Sequence, residues 1–162
     1  MNITYINFTT LSEAQKAMIL EWRNHPNVRA YMYNTGVISQ KTHLEFIESL
    51  KTKENKRYFV VQKEHENIGV IDFTDITPTS ATMGIYANPC LSQKGIGSIL
   101  LQAIVDYAFD ILKVQTLKAE VFATNAKAKT LYKKFGFRAM GQKSVNGKEV
   151  ICMELENANR SL

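Results

Sequence analysis

The sequence is poor in cysteine and contains no long apolar run. Its two cysteines, Cys90 and Cys152, lack the spacing of metal ligands, so we expect two free thiols in a reducing compartment and no metal site. No apolar run is long enough to span a membrane, and no basic segment leads into an apolar one after Met1. These absences favour a cytoplasmic protein that has no membrane partner.

Dense basic tracts, internal repeats, linkers and low-complexity segments are also absent. The chain is nevertheless basic, with a net charge of +5 and a pI of about 9.2. A basic surface attracts polyanions, but these lysines are scattered and no aromatic RNA-binding motif accompanies them. We therefore expect small anionic ligands, such as coenzyme A or a nucleoside diphosphate, rather than nucleic acid.

With 162 residues, 45% hydrophobic and 22% charged, the chain suits one domain with a sizeable core. We expect that domain over residues 1–156 and a loose tail over residues 157–162. The order of elements predicts an α/β domain of three layers, in which helices flank a mostly antiparallel, mixed sheet. The predicted strands are 3–8, 58–62, 68–74, 81–87, 116–122, 137–142 and 149–155, and the predicted helices are 12–22, 28–33, 39–50, 98–112 and 126–134.

Residues 81–112 predict a strand, a glycine loop and a long amphipathic helix. Gly95 and Gly97 let the backbone turn tightly and approach a ligand without a Cβ in the way. Unpaired N–H groups at a helix start suit a phosphate or pyrophosphate, and Lys94 adds a charge. The loop lacks the Gly-Lys-Ser/Thr ending of a Walker motif and the third glycine of a dinucleotide fingerprint. An ordinary glycine turn is the alternative reading.

This strand, loop and helix resemble the acetyl-CoA loop of the GNAT superfamily of N-acetyltransferases, whose pattern is Arg/Gln-x-x-Gly-x-Gly/Ala. Ser92 stands at the first position of that pattern, and Gln93 follows one place late. Residues 117–137 resemble the family's fifth strand, its asparagine, the next helix with its tyrosine, and the Gly-Phe entry to the sixth strand. The resemblance covers nearly the whole chain, and it implies a single acyl-CoA N-acyltransferase domain with acetyl-CoA as co-substrate.

The resemblance also implies roles for individual residues. A backbone N–H of the fourth strand would hold the thioester carbonyl, and the fifth strand would splay away to leave a slot for pantetheine. Tyr132 would donate a proton to the departing sulfur, which a neutral phenol can do. Asn125 would bond the pantetheine arm, with a helix N-cap as its alternative or additional role. The implied catalytic residue is Tyr132, and the implied acetyl-CoA site comprises Ile85, Tyr86, Ala87, Gln93, Lys94, Gly95, Ile96, Gly97, Ser98, Asn125 and Tyr132.

No general base stands out in the sequence. Glu120, Asp72, Asp75 and His43 are candidates, but a salt bridge or a capped surface position explains each carboxylate better than catalysis does, and His43 is explained by a position on a helix surface. For a sugar amine, water alone would suffice, because the ring oxygens lower the amine's basicity.

In this superfamily the N-terminal half builds the acceptor site, so the sequence of that half indicates the acceptor. Residues 21–27, 31–33 and 43–47 resemble the N-acetyltransferases of pseudaminic acid synthesis, a pathway of flagellin glycosylation. Those enzymes acetylate the 4-amine of UDP-4-amino-4,6-dideoxy-N-acetyl-β-L-altrosamine, here by direct transfer in a ternary complex. Arg23 and His43 could hold the phosphates, while Met32, Tyr33 and Phe46 could surround the uracil and sugar. The implied acceptor-site residues are Arg23, Met32, Tyr33, His43, Phe46, Thr74 and Glu120.

Two other functions stay open at this point. The first is an N-terminal protein acetyltransferase of the ribosomal-protein type, which shares a Trp-Arg/Asn-like element. The second is a non-catalytic module that binds coenzyme A or nucleic acid. A homodimer is also left open.

Overall fold

A seven-stranded mixed sheet forms the centre of the computed structural model, which describes residues 1–160. The strands are β1 (Ile3–Asn7), β2 (Arg57–Lys63), β3 (Glu66–Thr74), β4 (Ser80–Ala87), β5 (Thr116–Phe122), β6 (Arg138–Val145) and β7 (Lys148–Glu156). The helices are α1 (Glu13–Asn24), α2 (Pro26–Arg29), α3 (Gln40–Ser49), α4 (Ile96–Asp106) and α5 (Ala126–Lys134).

The sheet runs β1-β2-β3-β4-β5-β7-β6, and all neighbouring strands are antiparallel except β4 and β5. The parallel pair is short, because residues 80–82 of β4 lie opposite residues 116–118 of β5 and the described strands pair no further. The two strands therefore diverge toward their carboxyl ends, as the resemblance implies, and they leave a gap in the middle of the sheet.

Each face of the sheet carries its own hydrophobic core. Val61 and Ile71 point to the face covered by α4 and α5, where Leu100 and Ile104 complete the larger core. Their neighbours in the strands point to the opposite face, where α1 and α3 cover a smaller core that includes Trp22. Helices on both faces of one sheet confirm the predicted three-layer α/β architecture.

The connection between α1 and α3 differs from the prediction. Pro26 ends α1 but also opens α2, since the first residue of a helix needs no N–H donor. This short helix ends at Arg29, so the helix predicted over residues 28–33 is wrong, and residues 30–38 form a loop. Asn24 fixes the end of this 30–38 loop, because its side chain bonds both the N–H and the carbonyl of Ile38, at 2.8 and 2.9 Å.

The long helix after the glycine loop begins at Ile96, two residues earlier than predicted, and it widens at its end. Tyr107–Ile111 form a π-helical turn, in which the Leu112 N–H donates to the Tyr107 carbonyl at 2.9 Å. None of the helices in residues 1–160 has both the length and the apolarity needed to cross a bilayer.

Two hairpins turn through residues in the left-handed conformation. Glu64 and His65, with φ of 50° and 69°, turn β2 into β3, so the turn predicted at Asn67 is wrong and Asn67 lies inside β3. Asn146 and Gly147 turn β6 into β7 with φ of 51° and 79°, the left-handed pair predicted from their sequence.

The chain beyond β7 packs against the sheet at its first residues. Asn157–Asn159 form a 3₁₀ turn, and the Asn157 N–H donates to the Gln115 carbonyl at 2.9 Å. Arg160 donates to Asp110 at 2.8 Å. Residues 157–160 thus differ from the predicted loose tail, and residues 161–162 lie outside the described residues.

Candidate active site

A cleft of about 540 Å³ opens where β4 and β5 diverge. Residues 82–86 of β4 and 120–122 of β5 form its floor, Asn125 and Tyr132 lie at one end, and residues 31–33 cover it from the 30–38 loop. Of the predicted site residues, eight line this cleft: Met32, Tyr33, Thr74, Ile85, Tyr86, Glu120, Asn125 and Tyr132.

Tyr132 presents a neutral phenol to the cleft. The residue is only 5% exposed, its ring packs on Phe137 at a centroid distance of 5.6 Å, and burial raises the pKa of its hydroxyl to about 12. Burial is the cause of this shift, and no hydrogen bond from the described residues contributes to it. The group therefore keeps its proton at neutral pH and is free to donate it, as an acid for a departing thiolate requires.

Asn125 has the structural role that its position before a helix indicates. Its Oδ1 accepts from the Ala128 N–H at 3.2 Å, which caps α5, and the residue also lines the cleft. Because the cap uses only the oxygen, the side-chain NH₂ remains available to a ligand.

The glycine loop begins α4 without a side-chain cap. Gly95 adopts φ 87° as the residue before the helix, a conformation that L side chains rarely adopt. The Ile96 side chain is buried in the core, so this residue offers a ligand only its backbone. A Cβ added at Gly97 would lie 3.4 Å from Leu131 of α5, next to Tyr132. The first turn of α4 thus lies beside α5, and its N–H groups are free to bind an anion.

Three of the residues predicted in the glycine loop have side chains that face solvent, namely Gln93, Lys94 and Ser98. The Gln93 amide approaches the Glu66 carboxylate at 3.4 Å, a long contact between exposed groups. Any contribution of these three residues to cofactor binding depends on the ligand.

The predicted cofactor residues of β4 divide between the two faces of the sheet. Ile85 and Ala87 pack against the core beneath α4, whereas Tyr86 packs with the core beneath α1 and α3. Tyr86 therefore belongs to the acceptor side through its ring, and it can contribute to a thioester site only through its backbone. Burial raises the pKa of its hydroxyl, which stays protonated.

Tyr33 and Glu120 close the mouth of the cleft. The Tyr33 hydroxyl donates to the Glu120 carboxylate, which also accepts from Lys143 Nζ at 2.9 Å. The Asn146 amide in turn donates to the Tyr33 carbonyl at 3.0 Å. Partial burial would raise the pKa of Glu120, but the two hydrogen bonds outweigh it and the net shift is downward. Glu120 is therefore a paired carboxylate rather than a free acceptor.

A smaller apolar chamber of about 350 Å³ adjoins the cleft on the α1 and α3 side. The two cavities share Met32, Tyr58, Asp72 and Tyr86 in their linings, so they lie side by side. The Phe46 ring packs edge-on against the Tyr58 ring, with 4.9 Å between the ring centroids, and forms a flat wall of the chamber. Sequence reasoning missed Tyr58, although its alternation with buried Phe59 indicates a side chain on the acceptor face.

Arg23 and His43 line the smaller chamber, but His43 does not suit the phosphate contact predicted for it. His43 is 6% exposed, its Nε2 lies 2.9 Å from the Lys16 carbonyl, and burial lowers the pKa of its imidazole. A neutral ring held on a carbonyl is a poor phosphate ligand. Arg23 Nη2 donates to the Asn34 carbonyl at 3.1 Å, while its buried Nη1 has no partner within residues 1–160. Arg23 thus keeps one donor for an anion.

Comparison with known proteins gives relatives of one kind. A family model described as "Acetyltransferase (GNAT) domain" matches residues 6–138. Acetyltransferase PseH of Campylobacter jejuni (strain 81-176) is 45% identical over 131 residues, which cover 81% of this chain and 82% of that protein. The crystal structure of Campylobacter jejuni N-acetyltransferase PseH in complex with acetyl coenzyme A matches with a TM-score of 0.80 at 35% identity, over 96% of this chain and 99% of that one.

A solved polyamine acetyltransferase is also similar. The spermidine N-acetyltransferase from Vibrio cholerae in complex with CoA and spermine matches with a TM-score of 0.86 at 25% identity, over 97% of this chain and 96% of that one. The fold predicted from the resemblance is therefore confirmed by two independent structures.

Proposed function

Because the chain belongs to the GNAT acetyltransferase family and is an N-acetyltransferase that uses acetyl-CoA, we propose that its acceptor is the 4-amine of a UDP-linked 4-amino-4,6-dideoxy sugar of pseudaminic acid synthesis. The observation that carries this proposal is the pair of adjoining cavities on the acceptor face, lined by the segments that carry the sequence resemblance. Similarity to PseH over four-fifths of the chain supports it.

The shape of the acceptor side suits a nucleotide sugar. The cleft and the chamber, about 540 and 350 Å³, are each large enough for one part of such a ligand. Phe46 and Tyr58 offer flat faces to a base, and Met32 at the junction can adapt to either part. We infer that the uracil enters the smaller chamber and that the sugar lies in the cleft.

Charge on this face suits a diphosphate. Arg23 lines the chamber and has a buried Nη1 without a partner among residues 1–160, and Lys143 lines the cleft and donates to Glu120 with one of its three N–H groups. A guanidinium and an ammonium together match two close phosphate charges. We assign the diphosphate to Arg23 and Lys143, and we remove His43 from that role.

The two substrates can meet directly across the gap between β4 and β5. Acetyl-CoA would bind along the first turn of α4 and beside residues 85–87, while the acceptor amine would approach from the opposite face. The nitrogen then attacks the thioester carbon, the C–N bond forms and the C–S bond breaks. Tyr132 gives its proton to the leaving sulfur. This arrangement supports transfer in a ternary complex without a covalent enzyme intermediate.

A polyamine acceptor is the strongest competing assignment, because the Vibrio cholerae enzyme gives the higher TM-score of the two structures. A polyamine cation needs free carboxylates around it. Here the Glu120 carboxylate is already bound by Lys143 and Tyr33, so the carboxylates that the described cleft offers to a cation are Asp72 and Asp75. The lower identity, 25% against 35%, favours the sugar assignment. Two free cysteines support a cytoplasmic location as part of this proposal.

A competition experiment tests the acceptor. The purified protein and acetyl-CoA are given the UDP-linked 4-amino sugar, spermidine and a peptide with a free N-terminus at equal concentration, and acetylated products are counted by mass spectrometry. We expect the sugar product to dominate. The same sugar without UDP should be a poor substrate, because binding of the remote nucleotide positions the amine. Preference for the peptide or for spermidine, or no product from the sugar, would overturn the sugar assignment.

A further inference from the structure

Asp72 is a carboxylate on the acceptor face that the assigned roles leave unused. It lies in the middle of β3, lines both the cleft and the smaller chamber, and is half-buried. Tyr58 of β2 and Gly84 of β4 stand directly opposite it on the two neighbouring strands. Among residues 1–160 no salt bridge includes Asp72, and no hydrogen bond contributes to the pKa shift of its carboxyl.

Because Gly84 has no side chain, the Asp72 carboxylate has room to lie over β4. A Cβ added at Gly84 would lie 2.6 Å from Oδ1 of Asp72 and closer still to Oδ2, so any other residue would displace the carboxylate. The carboxylate thus covers the acceptor side of β4, one residue before the segment 85–87 assigned to the thioester. It stands at the point where an acceptor amine must approach the carbonyl carbon.

The other candidate bases are unsuitable for geometric reasons. Glu120 already accepts hydrogen bonds from Tyr33 and Lys143, and these bonds lower the pKa of its carboxyl, which makes it a weaker base. His43 contacts the Lys16 carbonyl through Nε2, and it lines the smaller chamber but not the cleft. Asp75 follows the end of β3 and is exposed at the rim of the cleft. Only Asp72 combines an unbonded carboxylate with a central position in the site.

We propose that Asp72 is the general base that takes a proton from the acceptor amine during acetyl transfer. The proposal deepens the proposed function and rests on transfer to an amine. As the nitrogen lone pair forms the C–N bond, one N–H proton passes to the Asp72 carboxylate. The C–S bond breaks, and the sulfur takes the Tyr132 proton. Overall one proton leaves nitrogen and one reaches sulfur, and exchange with water restores both side chains.

The surroundings of Asp72 suit this role. Burial raises the pKa of its carboxyl to about 7, and the positive charge of Lys56, just before β2, opposes that shift. The other ionisable groups that line the two cavities are Tyr31, Tyr33, Tyr58, Asp75, Tyr86, Glu120, Tyr132 and Lys143 in the cleft, with Arg23 and His43 in the smaller chamber. Tyr58 and Tyr86 stay neutral because burial raises their pKa values, and Glu120 and Lys143 neutralise each other. A base whose pKa lies near the working pH transfers protons efficiently.

The test compares kcat of wild type and Asp72→Asn as a function of pH. The acceptor is whichever of the UDP-amino sugar, spermidine or the peptide wild type acetylates fastest, so a wrong sugar assignment leaves the test intact. Because both proteins use the same acceptor, the effect of acceptor ionisation on kcat cancels in the ratio of the two values. We expect a ratio of about 10²-fold above about pH 8 that shrinks as the pH falls below about 7, because Asp72 is then protonated. A ratio that is constant with pH indicates a structural role and overturns the proposal.

Two further measurements keep the test decisive. Asp75→Asn is the matched control, since it removes a carboxylate from the rim of the same cleft, and its ratio to wild type should not change with pH. If Asp72→Asn fails to fold, the smaller Asp72→Ser replaces it. In wild type labelled with ¹³C at aspartate Cγ, one resonance should titrate near pH 7 and vanish in the variant. A resonance of Asp72 that titrates near pH 4 contradicts the proposal even when no acceptor is found.

Discussion

The Tyr33 hydroxyl donates to the Glu120 carboxylate, and this contact joins two residues that are 87 positions apart in the chain. One belongs to the 30–38 loop and the other to β5, so the bond fastens the loop across the mouth of the cleft. Lys143 on the same carboxylate and Asn146 on the Tyr33 carbonyl add two further attachments from the β6–β7 hairpin. The acceptor site is therefore partly closed by a loop that the ligand must displace or lie beneath.

Tyr33→Phe should loosen this loop while keeping the ring against Phe122, at a centroid distance of 5.7 Å. A hydrogen bond to a charged group contributes about 1.5–3 kcal/mol, and less where it is exposed. We expect KM for the acceptor to rise about 3- to 10-fold, with kcat for bound substrate less affected, and amide exchange over residues 30–38 to become faster. Tyr31→Phe is the control, because Tyr31 is 60% exposed and lines the same cleft. Equal effects of the two variants would contradict the role given to the Tyr33–Glu120 contact.

Gly97→Val should weaken acetyl-CoA binding without unfolding the protein. An added Cβ at Gly97 would meet Leu131 at 3.4 Å, an ordinary contact, so the core can accept it. The branched side chain would nevertheless cover the N–H groups at the start of α4 that a pyrophosphate needs. We expect at least a tenfold rise in Kd by calorimetry, with far-UV circular dichroism unchanged. Ser98→Ala, which alters a side chain but no backbone group, should bind normally; a folded Gly97→Val with wild-type affinity would disprove the assigned cofactor loop.

Tyr132→Phe should slow acetyl transfer and leave cofactor binding nearly intact. The variant keeps the packing on Phe137 but removes the proton donor. A well-placed acid contributes about 10²–10⁴-fold to the rate, so kcat should fall within that range. Because the pKa of Tyr132 is raised to about 12, wild-type activity should show no alkaline loss from this group between pH 7 and about 10. Full turnover of the variant in a coupled thiol assay would show that Tyr132 contributes packing and is not the proton donor.

Local sequence signals predicted much of the fold. Strand β5 and helix α5 have the predicted bounds, because a buried alternating run and a capped amphipathic turn are both encoded within a few residues. The predictions failed where distant side chains decide the backbone. Helix α2 ends at Arg29, and the next residues form a loop held by Asn24 and by Tyr33 bonds to other elements.

Many residues that line the site could be predicted from the sequence, but the contacts that these residues make were less predictable. Eight of the predicted residues line the cleft, since they follow from a resemblance carried by local motifs. The neutral, carbonyl-bound state of His43 depends on how α3 packs against α1, which no local pattern reveals. The pairing of Asp72 with Gly84 depends on strand register in the same way, so sequence alone left Asp72 as one of four candidates.

Arg23→Met and Arg29→Met form a matched pair that tests the diphosphate contact. Both arginines donate to carbonyls of the 30–38 loop, Arg23 to Asn34 at 3.1 Å and Arg29 to Thr35 at 3.3 Å. Only Arg23 lines the chamber next to the cleft. We expect KM for the UDP-amino sugar to rise about 10- to 100-fold in Arg23→Met, and by less than about threefold in Arg29→Met. Equal losses in both variants would show that Arg23 acts through the loop and not on the ligand.

Asp72→Asn should stabilise the protein, and the gain should depend on pH. Burial raises the pKa of Asp72 from 3.8 to about 7, so folding favours its neutral form. That favourable contribution is complete below the unfolded pKa, near 4, and is lost as the pH rises to about 7. The variant cannot ionise, and its gain over wild type should therefore grow between these two pH values and stay constant above them. The upper limit is about 4 kcal/mol, since the side chain is partly open to the cleft.

Urea unfolding of both proteins at several pH values measures this difference, with Asp75→Asn as the exposed control. A gain that is the same at about pH 4 and about pH 8 would show that packing over Gly84, and not ionisation, is responsible. The expected result has a functional meaning. A residue that costs stability whenever it is charged, where an amide of the same shape would not, is explained by chemistry that needs the charge. Loss of turnover together with a gain in stability in one variant would be the signature of a base held in a buried site.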